Sequence, residues 1–259
     1  MLSLAVVAVL MAFAARYWSG PVHPQRITAF ARRHALAITP GAEPVVRHYL
    51  RTTRVWRAPG LVAGLFLTMP MIPFIDLGLP FGMSIDPFSG WFLGVLGAEL
   101  AIGSRRDPGP VAAVTAPPRL LSPQARAFLY GGAALSAASL LIGIGVALTG
   151  APSPALPWTG VGAAVTGGTL LLVRSLRLRP IPAAPADVVA AVLATRSRSA
   201  HTLATGNAVF AYAWGLVDVP MTAWGDLPVG VVGLPLVVGA FLTGTRQWAI
   251  TVGPPATRP

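Results

Sequence analysis

Residues 127–149 read AFLYGGAALSAASLLIGIGVALT, a run of 23 residues without a charge. A helix needs about 20 mostly apolar residues to cross the hydrocarbon core of a bilayer. The run therefore predicts a membrane-spanning helix, and it is the clearest of seven such segments. The other six are about Leu2–Trp18, Gly60–Leu79, Phe88–Gly103, Trp158–Val173, Leu203–Val219 and Val229–Thr245. The first, third and fifth segments are short, and the alternative is six spans, with the first or third segment not crossing the membrane.

The composition of the whole chain agrees with this interpretation. Of 259 residues, 54% are hydrophobic and 10% are charged. A soluble domain carries about 25% charged residues, and a disordered chain is poor in apolar residues. The sequence therefore predicts an all-α polytopic bundle that forms a single integral membrane domain over residues 1–259.

The positions of the basic residues predict the orientation of the bundle. All 19 basic residues are Arg, and they lie at 16–57, 105–126, 174–198 and 246–258. With seven spans these stretches are alternate loops, all on one side of the membrane. The positive-inside rule makes that side the cytoplasm. We therefore expect a plasma-membrane protein with its N-terminus outside and its C-terminus inside.

The net charge of +11 has the same explanation. In a soluble protein it would suggest nucleic-acid binding, but loop arginines on the cytoplasmic side account for it here. No nucleic-acid partner is expected. The first apolar segment is interpreted as an uncleaved anchor, since its positive charge begins at Arg16, after the run rather than before it.

The predicted cytoplasmic loop over residues 17–59 contains an amphipathic helix at 44–57. Arg47, Arg51 and Arg54 form a stripe on one face of it. Such a helix suits the anionic lipids of the inner leaflet. Two alternatives stay open: a helix packed under the bundle with solvated arginines, and a surface for a cytoplasmic or membrane protein partner.

The second half of the chain partly repeats the first. A shift of 143 residues places Val45 on Val188 and Leu50 on Leu193. The second and third spans then fall on the sixth and seventh, which gives a possible parallel repeat of three spans, one linker span and three spans. In topology alone this layout resembles the SWEET and PQ-loop transporters. The resemblance carries over no functional residues.

A local resemblance rests on residues 195–201, which read TRSRSAH, together with Gly90, Trp91 and Glu99. These residues resemble uncharacterised polytopic membrane proteins of GC-rich actinobacteria. The resemblance implies a membrane protein and brings no activity with it.

Four polar residues are the candidates for a transport pathway. Glu99 lies within the third span, where an ionised group is expensive, and Asn207 lies in the sixth. Asp76 and Asp218 are at the outer ends of the second and sixth spans. The alternative interpretation is structural: Glu99 pairs near the interface, Asn207 bonds a neighbouring helix, and the two aspartates lie in exterior loops.

Small residues recur every four positions in three of the predicted spans. The rows are Gly60–Gly64, Gly90–Gly94–Ala98 and Gly160–Ala164–Gly168. Such rows let helices approach closely. We interpret them as packing surfaces within the chain rather than as dimerisation faces.

The sequence contains neither Cys nor Lys. It has no His-Glu-x-x-His or Gly-x-Ser-x-Gly motif, so no catalytic residue, metal site or cofactor is expected. We predict a small permease or a membrane subunit of a transport system rather than an enzyme. The alternative is a non-catalytic scaffold or regulator that acts through the arginine-rich loops.

Overall fold

The computed structural model describes residues 20–68, 87–104, 119–150, 156–215 and 238–244, and every regular element in these residues is a helix. The all-α fold class is therefore confirmed. The helices are α1 (Pro24–Arg33), α2 (Ala42–Thr68), α3 (Pro87–Ser104), α4 (Pro123–Leu148), α5 (Leu156–Leu178) and α6 (Ala186–Gly215), followed by α7 over residues 238–244. The first predicted span, Leu2–Trp18, lies outside the described residues.

Two of these helices, α4 and α5, are long and apolar enough to cross a membrane, and α3 is a shorter apolar helix. The α4–α5 pair also exposes large side chains on its outer faces: Leu148 is 82% exposed, Leu171 69% and Leu141 68%. Several large apolar side chains exposed on two neighbouring helices are unusual on a soluble monomer. They are consistent with membrane association, while the count of seven spans and the orientation stay predictions.

The interior of the α4–α5 pair is small and polar. The hydroxyl oxygens of Ser136 and Thr166 are 2.8 Å apart and buried. Helix α4 begins after Ser122, whose side chain accepts a hydrogen bond from the Ala125 amide at 3.1 Å, and Pro123 occupies the first helical position. Both features are typical of a helix start.

The amphipathic segment 44–57 is part of a longer helix than the sequence indicates. Helix α2 runs without interruption from Ala42 through Pro59 to Thr68, so the boundary expected between the loop and the second span lies inside one helix. A proline in a helix removes one backbone hydrogen bond. Here close packing of the following turns against α3 keeps the chain helical. The loop also contains the additional short helix α1.

Helix α6 occupies the centre of the described bundle. It packs against α2, α3, α4 and α5, and every residue from 201 to 211 is buried. It begins 17 residues before the predicted sixth span at Leu203, because its first half packs against other helices at the arginine-rich end. We use the term arginine-rich end for the end of the bundle that carries Arg57, Arg179 and Arg198.

The N-terminal turns of α2 and α6 are tied together by a hydrogen bond from the Thr39 hydroxyl to the Asp187 carboxylate. These two helices are the ones that the proposed repeat pairs, and they begin at Ala42 and Ala186, that is 186 − 42 = 144 residues apart. The helix that would correspond to α3 is described only over residues 238–244. The internal repeat therefore stays a prediction.

Candidate functional site

A buried carboxylate cluster, formed by Tyr49, Glu99 and Ser199, joins α2, α3 and α6 at the arginine-rich end. Glu99 is 1% exposed. The Ser199 hydroxyl donates to Glu99 Oε1 at 2.5 Å, and the hydroxyl oxygens of Ser199 and Tyr49 are 3.3 Å apart. Since a buried carboxylate needs hydrogen bonds to offset its desolvation, Ser199 holds it in place.

Arginines surround the carboxylate cluster. Burial raises the pKa of Tyr49, and the nearby Glu99 adds to the rise, whereas Arg57 and Arg198 act in the opposite direction. Burial lowers the pKa of Arg179, and Glu99 partly offsets that change. The cluster is therefore a buried carboxylate with cationic side chains nearby, in which desolvation opposes ionisation and the arginines favour it.

The TRSRSAH segment connects α6 to its neighbours through side chain to backbone bonds. Arg196 donates from Nη1 to the Arg179 carbonyl at 2.7 Å and from Nη2 to the Pro180 carbonyl at 2.6 Å. Arg198 donates to the Gly244 carbonyl of α7. Arg196 thereby bonds the two carbonyls that directly follow the C-terminus of α5, where a cationic side chain is favourable.

His201 connects α6 to the segment that precedes α4. Its Nδ1 lies 2.9 Å from the Ser197 carbonyl, and its Nε2 accepts from the Ser122 amide at 3.2 Å. Burial lowers the pKa of His201, and the nearby Arg198 lowers it further. The ring is therefore neutral at physiological pH, with the proton on Nδ1.

An aromatic layer lies along the same α3–α6 seam, away from the arginine-rich end. The ring centroids of Phe92 and Phe210 are 5.5 Å apart, and those of Phe210 and Trp214 are 5.4 Å apart. Trp158 of α5 packs on Trp214 at 5.6 Å, and the Trp214 indole donates to Ser89 Oγ at 3.1 Å. The layer fills the contact between α3 and α6 from the carboxylate cluster to Ser89.

Asn207 is the exceptional polar residue of the bundle interior. It is 0% exposed, and neither its Nδ2 nor its Oδ1 has a hydrogen-bond partner in the part of the chain that the structure describes. It lies where α6 meets α4, so that a Cβ added at Gly132 would be 3.0 Å from Asn207 Nδ2. An unsatisfied buried amide costs free energy, and it is a common mark of a site that binds water or a ligand.

The structure places two of the four predicted pathway residues at different contacts of α6, Glu99 where α3 meets α6 and Asn207 where α4 meets α6. Glu99 and Asn207 both lie in the bundle interior, and Asn207 is eight residues beyond Ser199 on α6, or about 12 Å along the helix axis. Asp76 and Asp218 lie outside the described residues, so their predicted pairing is not tested.

The predicted arginine stripe divides into separate environments. Arg47 forms an exposed ion pair with Glu43, and Arg51 is exposed. The Arg54 side chain donates to the backbone carbonyls of Gly20 and Pro21. The stripe is therefore not one continuous cationic surface.

The sequence prediction missed Ser199, Arg57 and Arg179 as neighbours of the carboxylate. One signal was available for Ser199: in α6 the polar residues Thr195, Ser199 and Thr202 recur at helical spacing within a segment poor in large apolar side chains. Arg57 and Arg179 come from other helices, and only the packing reveals them. Among the residues that the structure describes, no group of three His, Cys, Asp or Glu is placed to hold a metal ion.

No protein-family model matches the chain, and neither a curated protein nor a solved structure matches it significantly.

Proposed function

We propose that the protein is a multi-pass membrane protein of transport type, either a small permease or a membrane subunit of a transport system. The observation that carries the proposal is Asn207, a fully buried amide without a hydrogen-bond partner among the described residues, on the central helix. Polar groups inside a membrane bundle are expensive and commonly mark a solute or ion path.

The surroundings of Asn207 support a path along α6. Glu99 lies toward the arginine-rich end of the seam, where a carboxylate can select or hold a cation or a polar solute. The aromatic layer of Phe92, Phe210 and Trp214 obstructs the seam. We interpret this arrangement as a closed path that opens when α6 moves relative to α3.

The chain has no Cys, so water access to the path is testable without knowledge of the substrate. We would place a single cysteine at Asn207 and, as the control, at Val95, which is 0% exposed and lies in the apolar core. Methanethiosulfonate reagents react with the thiolate, which forms only in contact with water. The proposal expects Asn207→Cys to react with a small cationic reagent in membranes while Val95→Cys does not.

Equal protection of Asn207→Cys and Val95→Cys from reagents of every size would overturn the transport proposal. Replacement of Phe92 by Ala sharpens the test, since removal of an aromatic side chain from the obstructing layer is expected to speed the reaction at Asn207→Cys. No change of rate in that variant would contradict the interpretation of the layer as a gate.

The orientation belongs to the same proposal: the arginine-rich end faces the cytoplasm. Single cysteines at Ala37 and Thr149, both exposed, probe the two sides of the membrane. In intact cells an impermeant maleimide is expected to label Thr149→Cys only. Labelling of Ala37→Cys alone would indicate the opposite orientation. Labelling of both variants would indicate one span fewer between the two residues than predicted.

The second candidate function is a scaffold or regulator that binds a partner through the arginine-rich loops. The exposure of Arg51 and of the Arg47–Glu43 pair favours it. In cells that lack the gene, a scaffold predicts that Arg47→Gln with Arg51→Gln fails to restore the lost phenotype, while Asn207→Ala restores it. A transporter predicts the reverse.

A further inference from the structure

A cavity of about 360 Å³ lies at the arginine-rich end, beside the carboxylate cluster and outside the α6 seam. Three helices form its walls: α1, α2 and α3. Its charged lining is Arg26, Arg54 and Arg57, and its other lining residues are Val22, Leu50, Thr53, Ala58, Leu61 and Trp91. The cavity therefore combines a cationic wall with an apolar one.

Arg57 is the residue that points to a ligand. Its Nε and Nη2 atoms are buried and have no hydrogen-bond partner among the described residues. Its guanidinium carbon lies 5.6 Å from the centroid of the Trp91 ring, within the range of a cation–π interaction. A guanidinium with unpartnered donors matches the oxygens of a phosphate or carboxylate.

The position of the cavity along α2 narrows the choice of anion. The cavity lies where α2 changes from a segment with Arg47, Arg51, Arg54 and Arg57 to one without a charge, which runs from Gly60 to Thr68. This change from charged to apolar is typical of the interface between headgroups and acyl chains. Because the apolar wall continues from the cationic one, the cavity suits an anionic group that carries an apolar tail.

We propose that this cavity binds one anionic phospholipid, with its phosphodiester on Arg57 and Arg54 and the start of its acyl chain along Leu50, Ala58 and Leu61. The proposal rests on the membrane location in the proposed function and not on transport. It differs from adsorption of the exposed stripe on a charged surface, because a single cavity binds one lipid per chain.

The experiment uses the full-length protein in a neutral detergent. Short-chain phosphatidylglycerol, phosphatidylcholine and inorganic phosphate are each titrated, and bound molecules are counted by native mass spectrometry. One phosphatidylglycerol is expected to bind per chain, with phosphatidylcholine at least roughly tenfold weaker, since charge-assisted hydrogen bonds are strong ones. Equal binding of the two lipids would overturn the proposal. Full competition by inorganic phosphate at equal concentration would also overturn it in favour of a free-phosphate site.

Two variants and one matched control locate the site. Arg57→Gln removes one charge, and Ala58→Trp fills the cavity while all three arginines are retained. Each variant is expected to weaken phosphatidylglycerol binding at least roughly tenfold. The control is Arg51→Gln, an exposed arginine on the same helix, expected to change affinity less than about twofold. Equal loss in all three variants would indicate nonspecific charge attraction and would overturn the assignment.

The stability of each variant is measured by size-exclusion chromatography after heating, so that an unfolded variant is not scored as a binding loss. If Arg57→Gln unfolds, the lipid binding measured for Ala58→Trp decides whether the cavity is the binding site. Water access at Asn207→Cys does not depend on this cavity, so failure of the lipid proposal leaves the transport proposal standing, and the reverse also holds.

Discussion

Rows of small residues at four-residue spacing occur in both the α2–α3 pair and the α4–α5 pair, but their surroundings differ. In the first pair the small residues face each other: a Cβ added at Gly90 would be 2.6 Å from the Gly64 amide nitrogen, and one at Gly60 would be 3.0 Å from Gly94 Cα. In α5 the equivalent row contacts no other helix, because a Cβ at Gly160 would meet nothing within 4 Å among the described residues.

The difference shows that spacing of small residues permits close contact but does not cause it. The α2–α3 pair has backbone against backbone, so its contact is set by shape. The α4–α5 pair has the Ser136–Thr166 hydrogen bond inside and leucines outside. The first pair therefore depends on close fit, whereas the second pair leaves large apolar side chains exposed on its outer faces.

The largest expected effect tests this fit directly. Gly90→Leu forces a side chain into the backbone of α2, where overpacking costs at least about 3 kcal/mol. Gly160→Leu, in open space, is expected to change stability by less than about 0.5 kcal/mol. The measurement is the free energy of unfolding in mixed micelles. Similar losses of unfolding free energy in both variants would contradict the difference in packing between the two glycine rows.

The second largest loss of stability is expected from truncation of a buried side chain on α3. Phe92→Ala removes a 0% exposed ring from the contact of α3 with α6, and truncation of a buried Phe costs about 3 kcal/mol or more. Leu171→Ala on the outer face of α5 is the control and is expected to be mild in micelles. A larger loss for Leu171→Ala would mean that another part of the chain or a second copy covers that face.

A smaller effect depends on pH. The pKa of His201 is below its ordinary value of 6.5 because the folded protein buries the ring. The unfolded chain therefore binds a proton more readily, and the stability contributed by the neutral ring is present above that value and is lost as the pH falls through the folded pKa. We expect thermal stability to fall below about pH 6.5 and His201→Gln to flatten that fall. An unchanged pH profile would contradict a neutral His201.

The smallest effect is expected at Ser136. Ser136→Ala removes the hydrogen bond to Thr166, and such bonds between membrane helices average about 0.6 kcal/mol. The unfolding measurement used for Gly90→Leu detects it, with Ser136→Thr as the variant that retains a hydroxyl. A loss as large as that of Phe92→Ala would mean that polar contacts, and not apolar fit, hold α4 and α5 together.

The helical class was predictable because apolar runs and their flanking residues are local signals. Helix α3 (Pro87–Ser104) lies close to the segment Phe88–Gly103 that composition predicted, whereas α4 begins at Pro123, before the predicted start of the span at Ala127. The length of α6 was not predictable: its first half reads as an arginine-rich loop, and only packing against α2, α5 and α7 reveals why it is helical. Burial of Glu99 was recognised, but its partner Ser199 comes from a residue 100 positions away, which no local pattern encodes.

The central position of α6 also has a consequence for biosynthesis. Among the described residues, the α2–α3 pair touches the α4–α5 pair directly only where α3 meets α5; otherwise the two meet through α6. Since α6 is synthesised after both pairs, each pair is complete before its contacts with α6 can form. The nascent chain thus passes through a stage in which Glu99 lacks the hydrogen bond from Ser199.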